Sequence, residues 1–432
     1  MTTERDVARK VLWRLVLPLA LVGVVGSIDR ANVGFAALQM NTALGLSAAE
    51  YGFGAGVLFV GFLVSKLPSV LLFERIGMRR WLAIISLGWG IGATAMAFID
   101  SALHFYLLRF AIGMAEGGLS SGIMLYLANW ASQRQLAAVL ALPMISVPVA
   151  QVIGGPVSGL LLDSANPLGW EGWRWMFLVE GMPAVLIGLW ALFHFPDHPG
   201  EARWLTGAER DWIAANANPR KSGSGNAPGR WSALADPLTW LCGTIWLCAL
   251  AGNYGVIFWL PQVITSMAGL TPTQTGFVVA LPWIANAAGI LVNARLSDRA
   301  GERFLHLAVP FAGAGLALVV AYLAGGGLLG LAALIAAGFC LGAVTSPFWT
   351  IPASLLAPEA RAIGFVTINV LGSFAGLTVP GVMGLLRDAT GTFAASTYFL
   401  AAILLVGAGM ALLTRAVAAR RTLATGAATI GA

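Results

Sequence analysis

Twelve stretches of mostly apolar residues succeed one another along the chain, at about 12–37, 52–73, 81–99, 102–129, 136–162 and 174–195, then 237–266, 275–297, 304–324, 328–356, 362–386 and 392–414. A helix rises 1.5 Å per residue and needs about 20 apolar residues to cross a bilayer, so each stretch predicts one crossing. The fold class expected is therefore an all-α membrane protein of twelve transmembrane helices. One polar segment of any size interrupts the series, at 196–236. Within it Thr206, followed three residues later by Glu209, predicts a capping box that opens a short helix through about Ala217. Beyond that helix, 219–229 is rich in Gly, Ser, Asn and Pro and reads as a flexible tether. The expected organisation is a six-helix lobe over 1–195, a linker over 196–236 and a second six-helix lobe over 237–432.

An internal repeat supports two halves. Glu74-Arg75 with Gly77 and Arg79 recurs as Asp298-Arg299 with Gly301 and Arg303, an offset of 298 − 74 = 224. Pro156 and Pro380 share that offset, and Asp29-Arg30 falls on Asn253-Tyr254 in the same register. Parallel six-helix repeats of this kind are a known architecture of secondary transporters. The register also exposes an asymmetry: the deep charges lie in the first half, where the second has neutral polar and aromatic groups.

Composition agrees with the pattern. Apolar residues make up 58% of 432 positions and charged residues 10%, with a mean hydropathy of +0.81. A water-soluble domain carries about 25% charged residues, so most of this surface faces lipid. The pI near 9.6 raises the question of nucleic acid. The placement of the cations answers it. Of 25 Lys and Arg residues, 20 fall in the termini and in connections on one side, three are intramembrane (Arg30, Lys66, Arg109) and two lie opposite (Arg174, Arg387). That bias puts both termini and the 196–236 loop in the cytoplasm. Arg9-Lys10 ahead of an apolar stretch imitates a signal peptide, but the stretch is too long and lacks a small-residue cleavage site. The three cysteines all sit within apolar runs and read as core residues.

Asp29 and Arg30 lie about 25 Å along the first run, where an ionisable side chain costs about 2.5–3.5 kcal/mol on insertion scales. Lys66, Arg109 and Glu116 lie inside later runs; Arg174 opens one and can reach water. The deep set of Asp29, Arg30, Lys66, Arg109 and Glu116 has three positive and two negative charges, a bias that suits an anion. Arg109 and Glu116 stand seven residues apart, about 10.5 Å along one helix face. Counting from the outer helix ends places Asp29, Arg30 and Arg109 at one level, with Glu116 and Lys66 near the midplane. Two readings fit this set. Either the charges are structural ion pairs, or a carboxylate changes protonation during transport while arginines hold an anionic substrate by bidentate hydrogen bonds. Lys66 is an i,i+4 neighbour of Phe62, so it either faces the same cavity or reaches toward the cytoplasmic interface. The cytoplasmic cluster Glu74, Arg75, Gly77, Arg79 and Arg80, with its counterpart Asp298, Arg299, Gly301 and Arg303, reads as a topology anchor or a gate. Gly154-Gly155-Pro156 and Gly159 read as a place where helices approach and bend. The four histidines lie at run ends or in loops. No nucleophile–base set, phosphate loop or metal cluster appears, so neither an enzyme nor a cofactor is expected.

Five segments resemble a known family: SIDRANVGFA, LPSVLLFERIGMRRW, LRFAIGMAEGG, FPDHPGEARWLTGAERDWI and SPFWTIPASL with INVLGSFAG. Together they are similar to the major facilitator superfamily and, more closely, to its anion:cation symporters, which include bacterial permeases for sugar acids, tartrate, phthalate and aromatic acids. The resemblance implies that Asp29 and Glu116 couple protons, that Arg30 and Arg109 hold the substrate, and that Ser346, Trp349 and Asn369 contact the bound acid. Three positions depart from the pattern. Phe62 stands where sugar-acid members often have tyrosine, Lys66 where Glu or Gln is common, and Ser373 where Asn is frequent. A carboxylate with a less polar body than a sugar acid therefore fits at least as well. The function expected is import of an organic anion by proton symport with alternating access, in a monomeric, multi-pass inner-membrane protein. The alternative is a proton-coupled antiporter that exports a metabolite or drug through the same fold.

Overall fold

The computed structural model describes residues 2–132, 146–164, 166–217 and 231–430. Among these the chain is helical almost throughout; a single isolated bridge pairs Ser132 with Ala217. Helix α1 (Thr2–Val11) continues through a π-helical segment, Leu12–Val16, into α2 (Leu17–Leu44). Then follow α3 (Ala48–Ala95), α4 (Ala102–Glu116), α5 (Leu119–Ala128), α6 (Ser146–Asp163) and α7 (Gly172–His194). After the linker helix α8 (Gly207–Asn216) come the short α9 (Ser232–Ala235), then α10 (Pro237–Ala268), α11 (Pro272–Ala300) and α12 (Leu305–Ala324). The last are α13 (Leu328–Phe348), α14 (Thr350–Leu355), α15 (Arg361–Thr390) and α16 (Ala394–Ile430).

The helix boundaries follow local chemistry. Ser101 caps α4 by accepting from the His104 amide, and Asp236 caps α10 by accepting from that of Leu238. Thr271 and Gln274 form a capping box at the start of α11, with Pro272 in the first turn. Helices α2, α10 and α15 each stop where a glycine, at 45, 269 and 391, takes a left-handed conformation.

Among the described residues, ten helical segments are long and apolar enough to cross a membrane. Their outward faces carry large apolar side chains in the open, including Leu67, Phe193 and Leu328. The runs at 52–73 and 81–99 both lie in one segment, Ala48–Phe98, in which Gly77 alone leaves helical geometry (φ 79°, ψ 174°). Gly301, at the repeat offset of 224 from Gly77, ends α11 with φ 62°. In both halves, then, the glycine of the repeated motif supplies a backbone conformation that other residues seldom adopt. The 102–129 run is split into α4 and α5 at Gly117-Gly118. The run at 136–162 begins among residues outside those described; its remainder forms α6.

The chain forms two compact units: 1–45 with 57–225, and 46–56 with 226–432. A division by chain order alone does not assign 46–56 to the second unit. Its place there follows from local bonds: the Asp388 carboxylate accepts from the Ala48 and Ala49 amides at 3.0 and 2.8 Å, and the Tyr51 hydroxyl donates to the Phe258 carbonyl at 2.8 Å. Trp81, Trp89 and Trp173 are fully buried in the first unit and Trp259 in the second.

The linker helix has the expected capping box between Thr206 and Glu209. Glu209 also receives Lys10 Nζ at 2.7 and 2.8 Å, which docks the end of α1 on α8. The Lys10 ammonium, helped by the Thr206 amide and hydroxyl, holds the Glu209 carboxyl below the usual glutamate range. The 219–229 tether lies outside the described residues. All three cysteines are free thiols; Cys242 and Cys248 are buried and Cys340 half-buried.

Candidate functional site

The deep charges of the first unit and the tryptophan that binds one of them are set by three helices. Asp29 and Arg30 come from α2, Trp89 from α3, and Arg109 and Glu116 from α4. Arg30 Nη2 reaches Glu116 Oε1 at 2.9 Å, joining α2 to α4. Beside this pair, Trp89 Nε1 donates to Asp29 Oδ2 at 2.6 Å. Arg109, only 1% exposed, acts electrostatically on both Asp29 and Glu116. Gly26, one turn before Asp29, makes the close approach possible: a Cβ there would lie 3.1 Å from Glu116 Oε1 and 3.5 Å from the Trp89 ring. On α7, Glu180 adds a third buried carboxylate, whose Oε1 accepts from Ser158 Oγ of α6 at 2.7 Å.

The arrangement has a chemical consequence. Arg30 keeps 22% of its side chain exposed while Glu116 keeps 3%. The guanidinium is thus the accessible member of the pair and can exchange its own carboxylate for an incoming one. Arginine stays charged through that exchange, whereas a carboxylate is neutralised by one proton.

Lys66 lies beside Phe62, the neighbour that the i,i+4 spacing gives it. Its Nζ lies 5.9 Å from the centre of the Phe62 ring, and no ion pair with Glu116 forms. The i,i+4 spacing holds Lys66 over Phe62 on its own helix, and its flexible stem follows that face. Phe62 and Lys66 therefore share a face, as the spacing implies.

In the second unit the expected positions form polar and aromatic groups without a formal charge. Asn253 Nδ2 donates to the Ala249 carbonyl at 2.9 Å, and Tyr254 stacks on Phe258 at 6.2 Å. Ser346 Oγ donates to the Ala343 carbonyl at 3.3 Å. The half-buried Asn369 accepts from Ser373 Oγ through its backbone carbonyl at 2.9 Å. Trp349 meets Trp246, Phe348 and Phe365 edge-on at 5.0, 5.1 and 5.5 Å, and Trp246 stacks on Phe348 at 4.7 Å. Trp246 was absent from the sequence-based set, since nothing local marks one tryptophan among sixteen.

The repeated basic motif is only partly engaged. The Arg79 amide donates to Asp197 Oδ1 at 2.9 Å, its Nε to the Phe195 carbonyl at 3.1 Å and its Nη2 to Glu201 at 3.1 Å. Gly77 leaves room for the Asp197 carboxylate, which would contact a Cβ at 2.7 Å. Arg303 pairs with Asp298 at 2.7 Å and donates to Ser297 Oγ at 2.9 Å. Glu74, Arg75, Arg80 and Arg299 are exposed and form no ion pair among the described residues. Asp197 and Glu201, the partners that organise Arg79, lie some 120 residues away in sequence, as the separations of 118 and 122 show.

Comparison with known proteins places this geometry. The sequence pattern of the Major Facilitator Superfamily matches residues 19–380. The chain belongs to that superfamily. Among its relatives is an Agrobacterium vitis protein named "Putative tartrate transporter", 38% identical over 95% of this chain and 91% of the relative. Another, from Acinetobacter baumannii, is named "Quinolone resistance transporter" and is 34% identical over 94% of both chains. The solved structure of a bacterial homologue of the lysosomal transporter Spinster, inward-facing and occupied, superposes with a TM-score of 0.77 at 16% identity, covering 93% of this chain and 96% of that one. At that identity the likeness establishes the fold, a major facilitator fold, and the protein is a multi-pass membrane transporter, not an enzyme.

One sequence-level inference needs correction. The deep set had three cations and two carboxylates, but Glu180 is buried in the same unit and makes the formal balance three to three. The signal was present, a carboxylate inside the 174–195 run. Arg174 near the start of that run is held at the helix end: its guanidinium donates to the Ala97 and Ile99 carbonyls at 2.8 and 3.0 Å and stacks on Trp173 at 4.2 Å.

Proposed function

We propose that this superfamily member imports a small organic anion by proton symport, with alternating access, across a bacterial inner membrane. The reading places both termini in the cytoplasm, twelve crossings, and a gate built on Arg79 and Arg303. The observation that carries it is the Arg30–Glu116 pair at 2.9 Å, with Glu116 buried and Arg30 partly accessible. While Glu116 is ionised it occupies Arg30. A proton on Glu116 removes that competition, and the guanidinium is free to take a substrate carboxylate through two hydrogen bonds. Proton and anion then bind together, which is the requirement for symport. Asp29, held by Trp89 and facing Arg109, is the second proton site of this reading. When substrate leaves on the cytoplasmic side, Glu116 gives up its proton and reclaims Arg30, and the neutralised pair lets the empty carrier return.

Phe62 and Lys66 favour an acid with a partly apolar body and a second acidic group. The name of the Agrobacterium vitis relative makes L-tartrate the first probe.

The test is uptake of labelled L-tartrate into proteoliposomes with an imposed acid-outside gradient. Wild-type protein should accumulate tartrate, and Asp29→Asn and Glu116→Gln should not. Exchange at equal concentrations should survive in at least one variant, because exchange moves no net proton. Uphill accumulation by both variants would sink the coupling assignment. The Acinetobacter baumannii relative supports the second reading, export by antiport. Quinolone efflux driven by the same gradient, without tartrate uptake, would favour it.

A further inference from the structure

Among the described residues, three carboxylates are buried within membrane-crossing helices of the first unit, and the scheme above uses two. Glu180 is 5% exposed, on a helix that crosses the membrane. Its Oε1 accepts from Ser158 Oγ at 2.7 Å, and its Oε2 is buried without a hydrogen-bond partner. The Asn32 amide of α2 lies beside it, one turn from Asp29, without a well-formed hydrogen bond. No cation lies within ion-pair distance of Glu180 among the described residues.

The charges around it are accounted for. Helix α2 presents Asp29 and Arg30, and Arg30 is paired with Glu116 of α4. Arg109, also on α4, acts on Asp29 and Glu116. Helix α6 offers the Ser158 hydroxyl, and the part of α3 that packs on α7, from Leu87 to Thr94, has no charged side chain. On α7 itself Arg174 is six residues away, about 9 Å along the axis, and bound to Glu171, Ala97 and Ile99.

An ionised carboxylate so placed lacks the partner that normally offsets several kcal/mol of desolvation. The unpaired atoms point to the missing element. Glu180 Oε2, Asn32 Oδ1 and Asp29 Oδ1 are buried acceptors without donors. A proton on Glu180 turns one carboxyl oxygen into a donor, and the Asn32 side-chain amide, whose nitrogen and oxygen are both unpartnered, holds an acceptor as well as a donor. Glu180 also lies near enough to Asp29 for the two charges to interact. In a low-dielectric site two such carboxylates do not readily carry negative charge together.

We propose that Glu180 is a third proton-exchanging carboxyl of the transport cycle, taking up and releasing a proton of its own in a cluster with Ser158, Asn32 and Asp29. This deepens the symport reading and rests on it. The proton comes from the side with the higher proton concentration and leaves to the other. No bond other than O–H forms or breaks. It also resolves the charge balance, since a protonated Glu180 restores the net positive character of the buried set.

Infrared difference spectra of the purified protein between acid and alkaline pH test the assignment without any substrate. Wild-type protein should show the C=O stretch of each carboxyl that titrates. Glu180→Gln should lose one component, and Ser158→Ala should keep that component at a changed frequency. If Glu180→Gln does not fold, Glu180→Asp, which keeps an acid, and Ser158→Ala identify the band. A difference spectrum that neither Glu180 variant nor Ser158→Ala alters would overturn the proposal. In proteoliposomes Glu180→Gln should retain L-tartrate exchange and move about one proton fewer per tartrate; an unchanged ratio would also overturn it. Failure of the symport reading is distinguishable, because it appears as uphill accumulation by both Asp29→Asn and Glu116→Gln while the Glu180 band persists.

Discussion

If Glu116 and the substrate compete for Arg30, two conservative variants should change affinity in opposite directions. The Arg30–Glu116 contact is a single close N–O approach of 2.9 Å, with the carboxylate side chain 3% exposed. Charge-assisted hydrogen bonds contribute about 1.5–3 kcal/mol and are roughly twice as strong as neutral ones. Glu116→Gln keeps a neutral acceptor for Arg30, so freeing the guanidinium becomes easier by about 1–1.5 kcal/mol. At alkaline pH, where wild-type Glu116 is ionised, the variant should bind L-tartrate about 5- to 10-fold more tightly. At acid pH the two proteins should converge, because a protonated Glu116 no longer competes. Arg30→Lys keeps the charge and loses the fork; a loss of about 2 kcal/mol weakens binding about 30-fold. Calorimetric titration of detergent-purified protein with L-tartrate across pH measures both, with thermal melting as the control for folding. Equal affinities of wild type and Glu116→Gln at every pH, together with a near-normal dissociation constant for Arg30→Lys, would mean that the pair only locks α2 to α4.

Further expectations follow from the same geometry. Gly26→Ala places a methyl 3.1 Å from Glu116 Oε1, so it should loosen the pair and shift alkaline affinity in the direction of Glu116→Gln, with melting near wild type. Lys66→Gln should weaken binding of a dicarboxylate more than of its monocarboxylate analogue; equal losses would reduce Lys66 to a packing residue. Glu209 is held below the usual glutamate value by Lys10, so the docking of α1 on α8 is complete above about pH 4.5 and is lost as pH falls through the lowered folded value. Hydrogen exchange of 207–216 at neutral and acid pH should show this loss, and Lys10→Met should reduce the pH dependence to what the Thr206 capping contacts contribute. Single cysteines replacing Ser224 and Ala268 in a cysteine-free background should label from the cytoplasm and the outside respectively; labelling from one side would break the charge-derived topology.

Much of this protein is legible along the chain. The length of the apolar runs, the Thr206–Glu209 capping box, the glycines at 77 and 301 and the offset of 224 are local or repeated signals. They depend on hydrophobic length, on a hydroxyl three residues from a carboxylate, and on backbone sterics. The same holds for the presence of Asp29, Arg30, Arg109 and Glu116 deep in those runs, since a buried charge is conspicuous in an apolar sequence. Partnership is another matter. That Arg30 pairs with Glu116, that Trp89 holds Asp29, that Asp197 and Glu201 organise Arg79, and that Glu180 stands against Ser158 without a cation were decided by the tertiary structure. A helix that crosses a bilayer is apolar nearly all round, so its periodicity does not reveal which side faces lipid and which faces a neighbour. The rotation of each helix is set by packing against the others, and only that rotation determines which buried charge meets which.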